Sequence, residues 1–213
     1  MIISFVQQKG GVGKTTLAVN VAGTLASRGK RVLVIDADPQ GSALDWLNSR
    51  EAEPLFTVVA LPSATIHRQI KELKRDYEHV VIDAPGRLEK VVRSIIMASE
   101  LVVIPVQPSP YDVWAAKDAL DLIEEARVYN EKLKIVFTIN RKIVNTAIGR
   151  DVREALAGYD IPVLETAVCQ RVIFAESAAT GKIVTEVNGS SRAAREINAL
   201  TDELMGETNG KKG

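Results

Sequence analysis

The sequence predicts an α/β fold, a doubly wound and mostly parallel sheet flanked by helices, on three observations. Short apolar, β-branched runs recur at 2–6, 31–35, 56–60, 79–82, 101–106, 134–139 and 162–168. Most are apolar at successive positions instead of alternating, as strands covered on both faces are. Between them lie segments whose apolar residues recur every three or four positions, the period of a helix. Strands alternating with helices build parallel βαβ units, and such sheets bind ligands at the carboxyl ends of their strands.

Each element has its own signal. The run at 2–6 leads into "QQKGGVGKTT" (7–16), after which Leu17, Val21 and Leu25, with Ala18, Ala22 and Ala26 alongside, predict a helix ended by Gly29 as a left-handed cap. The run at 31–35 ends in Asp36 and Asp38, and Pro39 stops it. Ile66, Ile70 and Leu73 mark a second helix, and the strand at 79–82 closes on Asp83 before Pro85 and Gly86 turn the chain. Ala116, Leu120 and Ile123 mark a third helix with Asp112 as its candidate N-cap. The strand at 134–139 ends at Asn140. Ile148, Val152 and Leu156 predict a fourth helix, and Ala193, Ile197, Leu200 and Leu204 a last one, opened by Ser190 or Ser191. No repeat or composition shift divides the chain, so residues 1–205 read as a single domain and the polar, Gly-rich 206–213 as a disordered tail.

Composition narrows the function. The chain has 213 residues, 46% hydrophobic and 25% charged, as an ordinary soluble globular protein has. Lysine plus arginine (27) equals aspartate plus glutamate (27), so no global field draws it to nucleic acid or an anionic membrane, and any such binding needs a local patch. The single cysteine, Cys169, excludes a disulfide framework or a cysteine-rich metal site. No apolar run approaches the roughly 18 residues of a membrane span, and the N-terminus lacks the cationic region of a signal peptide. The expected compartment is the cytoplasm.

The chemistry begins at "GGVGKT", which follows a strand and opens a helix, the context of a phosphate-binding loop. Gln8 stands where the common form of that loop has its first glycine, and what remains is K-G-G-V-G-K-T-T, Lys9 to Thr16. Gly10, Gly11 and Gly13 let backbone N–H groups converge on phosphate oxygens, and the helix start adds its positive end. Lys14 would reach the β- and γ-phosphates and the Thr15 hydroxyl would bind Mg²⁺. Asp36 and Asp38, at a strand's carboxyl end facing this loop, are what Mg²⁺ and an attacking water need. "HVVIDAPG" is a hydrophobic strand closing on Asp83, whose carboxylate would bind the magnesium through water.

In this combination the chain resembles the ParA/MinD family of P-loop ATPases with a deviant Walker A motif, over nearly its whole length. The resemblance implies ATP and Mg²⁺ as cofactors, bound by Lys9, Gly10, Gly11, Val12, Gly13, Lys14, Thr15 and Thr16. It implies that Asp36 lies beside the metal with Thr15 and Asp83, and that Asp38 positions or activates the hydrolytic water. It implies that Asn140 contacts adenine, and that "VVIPVQPSPYDVWAA" leads to the dimer interface. It gives Lys9 a role as well: a clamp reaching the nucleotide of a partner subunit, so that ATP binding and homodimerisation are linked. In a monomer Lys9 is then expected on a flexible loop, with no phosphate of its own site to hold.

Within the family the closest resemblance is to the small ParA-type (ParF-like) plasmid-partition ATPases. The strand beginning at residue 2 is expected to have no operator-reading domain before it, and the last helix lacks the bulky basic face of a membrane-targeting one. The expected partners are non-specific double-stranded DNA, with nucleoid association in the ATP state, and a small centromere-binding or adaptor protein that stimulates slow hydrolysis, with no membrane. From Cys169 to Arg195, four basic residues (Arg171, Lys182, Arg192, Arg195) against Glu176 and Glu186 give 4 − 2 = +2, a modest candidate patch for phosphate contacts. Two alternatives stand beside partition. The same ATPase can position another cargo, such as a carboxysome, a chemoreceptor array or a secretion apparatus, or the fold can serve an ATP-dependent metabolic ligase.

Overall fold

A computed structural model describes residues 1–144 and 148–206, with the side chains of 148–151 left aside. Of the expected disordered tail at 206–213, Gly206 caps the last helix at φ 73° and residues 207–213 lie outside the described residues. Seven strands form one wholly parallel sheet: β1 (Ile2–Phe5), β2 (Val32–Asp36), β3 (Thr57–Ala60), β4 (His79–Asp83), β5 (Leu101–Val106), β6 (Lys134–Lys142) and β7 (Val163–Cys169). Their order is β3-β2-β4-β1-β5-β6-β7. The interior strands β1, β2 and β5 are buried at every position, which is why their sequences do not alternate.

Helices cover both faces. On one side α1 (Lys14–Ser27), α2 (Ser42–Asn48), α8 (Val184–Val187) and α9 (Arg192–Met205) pack over Phe5, Val34 and Val81. On the other, α3 (Ile66–Leu73), α4 (Glu89–Ala98), α5 (Pro110–Arg127) and α6 (Ile148–Ala157) pack over Ile35, Ile82 and Ile104. A further short helix, α7 (Ile173–Ala179), follows β7. Gly29, at φ 81°, ends α1 as a left-handed cap. Ser191 opens α9, its hydroxyl accepting the Ala194 N–H at 3.0 Å.

Two differences from the sequence reading matter for the site. Strands β2 and β4 each run one residue past their apolar stretch, so Asp36 and Asp83 lie inside the sheet as register partners. The N-cap of α5 is Ser109 and not Asp112, because Pro110 fixes a helical φ at the first position and moves the start forward. Asp112 is left buried in the first turn.

The edge strand β7 is blunted by its neighbours. Glu203 of α9 accepts the N–H groups of Glu165 and Thr166, both at 2.9 Å, and Glu196 accepts that of Cys169 at 3.0 Å. On the described residues no helix is long and apolar enough to cross a membrane.

Candidate nucleotide site

The carboxyl ends of β1, β2, β4 and β6 meet around the glycine-rich loop and form a cleft of about 440 Å³. Gly10, Gly11, Gly13, Lys14, Thr15, Thr16, Asp38 and Gly86 line it, as does Arg141. Gly13 is the N-cap of α1 at φ 93°, and a Cβ there would stand 2.3 Å from Asn140 Nδ2. Only glycine meets both conditions. The buried Val12 gives its carbonyl to Asn140 Nδ2 at 2.6 Å, so Asn140 braces the loop from the end of β6.

Lys14 opens α1 with 9% of its surface exposed. Burial pushes its pKa down, against the opposing pull of Asp83 and Asp38. A nearly buried ammonium in a cleft lined by the glycine-rich loop is suited to an anion, and a phosphate would restore the charge pairing that burial withholds.

Thr15 Oγ1 donates to Asp83 Oδ2 at 2.5 Å, while Asp83 Oδ1 is buried with no hydrogen-bond partner. Burial is the main cause of the Asp83 pKa being pushed up to about 7, with Asp36 and Asp38 adding repulsion against the Thr15 bond and the Lys14 charge. A carboxylate that is nearly dry, half-satisfied and beside a hydroxyl fits one oxygen-seeking cation. Among the described residues no three metal-ligating side chains cluster, so Mg²⁺ here would need phosphate oxygens as well, as it does when bound with a nucleotide.

The other aspartates divide the work. Asp36 is fully buried, and its carboxylate accepts the N–H groups of Asp38 (3.2 Å), Ala43 (2.9 Å) and Leu44 (3.0 Å). Burial raises its pKa, resisted by those three amides. It thereby ties the start of α2 and the loop that carries Asp38 to the end of β2. Asp38 itself is half-buried and faces the cleft, with Oδ1 accepting the Gln40 N–H at 3.0 Å.

Lys9 is not on a free loop. Its Nζ lies 2.6 Å from Oδ2 of Asp112, a carboxylate on α5 whose side chain is 2% exposed. Gln107 Nε2 donates to the Gly11 carbonyl at 2.9 Å, so the segment after β5 holds the loop at two points.

Of the four candidate DNA contacts, Lys182, Arg192 and Arg195 are exposed. Arg171 instead pairs with Glu196 at 2.5 Å, one residue beyond the stretch counted above. Several cleft residues have no sequence signal. Arg141 holds φ 52°, a conformation unusual for a side-chain-bearing residue and visible only in the backbone. Trp46 lines the cleft floor, stacked on Phe56 at 5.4 Å with Nε1 donating to the Lys182 carbonyl at 3.2 Å. Phe174 of α7 lines the cleft as well.

The family described as the CobQ/CobB/MinD/ParA nucleotide binding domain matches residues 3–203. The maintenance of carboxysome distribution protein A of Halothiobacillus neapolitanus is 33% identical over 201 residues, covering 92% of this chain and 93% of that protein. The chromosome-partitioning ATPase Soj of Thermus thermophilus is 32% identical, covering 95% and 94%. Among solved structures, a Cyanothece McdA–ATP complex superposes with a TM-score of 0.82 at 15% identity over 96% of each chain, a likeness of fold.

Proposed function

The chain belongs to the CobQ/CobB/MinD/ParA family of nucleotide-binding domains, with ATP and Mg²⁺ as cofactors, and from that premise we propose that it is a ParA-type, nucleotide-switched ATPase for DNA segregation. ATP and water give ADP and phosphate. The glycine-rich loop and Lys14 hold the phosphates, and the N-terminus of α1 adds its positive end. Thr15 and Asp83 would hold Mg²⁺, which neutralises charge developing on the phosphates. Asp38 orients the attacking water and takes up its proton.

Lys9 is assigned to the phosphates of a second subunit, so the ATP state is a two-fold dimer with both nucleotides enclosed. That dimer doubles the exposed Lys182, Arg192 and Arg195 and binds duplex DNA through its backbone, without reading sequence. In the cell it would sit in the cytoplasm, on the nucleoid while ATP is bound. Hydrolysis is a slow timer, hastened by a small centromere-binding or adaptor protein. The observation that carries this reading is a second lysine, Lys9, at the head of a phosphate loop whose own lysine, Lys14, already lies in the cleft.

The 33% identity to a carboxysome distribution protein favours a second reading, the same switch with a protein assembly as cargo. Steady-state hydrolysis tests the scheme. Turnover should be slow alone, faster with duplex DNA and partner protein, and abolished in Lys14→Gln. Fast turnover that depends on a small acid substrate would replace it with a ligase.

A further inference from the structure

We propose that Asp112 is a positioning residue that holds Lys9 within its own subunit and so sets how readily ATP drives association. The inference rests on the trans role given to Lys9 above.

The geometry is that of a latch. Lys9 Nζ and Asp112 Oδ2 are 2.6 Å apart, with the lysine side chain 38% exposed and the aspartate 2%. Asp112 Oδ1 is buried with no hydrogen-bond partner, so one of its two oxygens depends wholly on the charge of Lys9 nearby. The two residues are 103 apart in sequence, and the contact joins the glycine-rich loop to the first turn of α5. Gln8 Nε2 donates to the Asp118 carbonyl of the same helix at 3.3 Å, and Gln107 holds Gly11 from the segment before it.

A lysine carries one ammonium, which cannot be drawn into a buried carboxylate of its own subunit and extended to another's phosphates together. Removing it strands the Asp112 charge in a dry site, a costly state for a carboxylate. The cis pair therefore competes with the trans contact, and only a subunit facing an ATP-loaded copy offers Lys9 a stronger anion. This keeps nucleotide-loaded subunits apart until they meet at sufficient concentration. A two-fold dimer opens two such latches, so the effect enters its association constant twice.

The test uses the full chain with Mg²⁺ and a non-hydrolysable ATP analogue, followed by sedimentation. Asp112→Asn keeps the shape and removes the charge, and Asp112→Ser serves as a second variant should the first fold poorly. The expected result is dimerisation at roughly hundredfold lower protein concentration, about tenfold per latch, with the analogue's affinity for the monomer unchanged. Adding Lys9→Ala to Asp112→Asn should return the protein to monomer, which a merely structural change at Asp112 would not do. An unchanged or weaker dimer in both Asp112 variants, with Lys9→Ala monomeric, overturns the latch alone. Dimerisation of Lys9→Ala as strong as wild type overturns the latch and the trans role together.

Discussion

Asp36 and Asp83 are register partners on the adjacent strands β2 and β4, yet their carboxylates serve different parts of the site. Asp36 accepts three backbone N–H groups and fixes the loop that carries Asp38. Asp83 keeps a buried oxygen without a partner. Asp36→Ala should cost at least about 1.5–3 kcal/mol of stability, the worth of a single hydrogen bond to a charged group where three are lost, and slow hydrolysis by loosening Asp38. Asp83→Asn should instead keep its melting temperature without ligand and lose the extra stabilisation that Mg²⁺ adds to ATP. Melting curves with ATP alone and with Mg²⁺–ATP separate the two. Equal behaviour of the variants would contradict this division.

Asp38→Ala should bind ATP and dimerise while hydrolysing at least about a hundredfold more slowly, the lower end of what a positioned acid–base group contributes. The side chain faces the cleft but makes no bond that holds the loop to the sheet, so its removal spares the fold. A single-turnover assay on the preformed dimer reads the chemical step directly. Wild-type turnover would exclude Asp38 from that step.

Duplex DNA of random sequence should bind the ATP state and weaken steeply with salt. Reversing Arg192 and Arg195 together to glutamate should abolish binding at physiological salt without changing ATP affinity. Arg171→Glu should act differently, lowering stability by setting a second carboxylate against Glu196. Filter binding across a salt series measures the first effect and thermal melting the second. Binding that persists after the double reversal would move the patch elsewhere.

Acid should release the segment behind the cleft. The Arg50 guanidinium, 4% exposed, grips Glu186 at 2.9 and 2.7 Å and also donates to the Gly181 carbonyl at 3.0 Å. Burial pushes the Glu186 carboxyl up, but Arg50 and the Ile183 N–H outweigh it and hold it below the ordinary value. A carboxyl with a depressed folded pKa stabilises above its unfolded value and loses that contribution as pH falls through the folded one. The stability difference between wild type and Glu186→Gln should thus be full at pH 7, begin to shrink as pH falls to the ordinary glutamate value of about 4.3, and vanish only below the depressed folded value. Denaturant unfolding across that range checks it, and a difference independent of pH would contradict it.

The sheet was legible because its strands are buried on both faces and therefore apolar without interruption, and the phosphate loop because its glycines sit between a strand and a helix. What escaped was set by distant partners. Helix α2 forms where Asp36, from the strand before it, receives the N–H groups of Ala43 and Leu44. Helix α4 is the exception: Val91, Val92, Ile95 and Ile96 have helical spacing over its 10 residues, so it was legible locally and was overlooked. Asp112 looked like a helix cap because its counter-ion lies 103 residues away. The basic patch looked larger than it is because Glu196 lies 25 residues beyond Arg171.

The central claim is that ATP acts by joining two copies through Lys9, and sedimentation of Lys9→Ala with Mg²⁺ and a non-hydrolysable ATP analogue tests it most directly. Losing two charge-assisted contacts, each worth about 1.5–3 kcal/mol, should weaken the dimer by two orders of magnitude or more. The variant should therefore bind the analogue near normally and sediment as a monomer at concentrations where wild type is dimeric. A Lys9→Ala protein that dimerises as tightly as wild type would contradict the account.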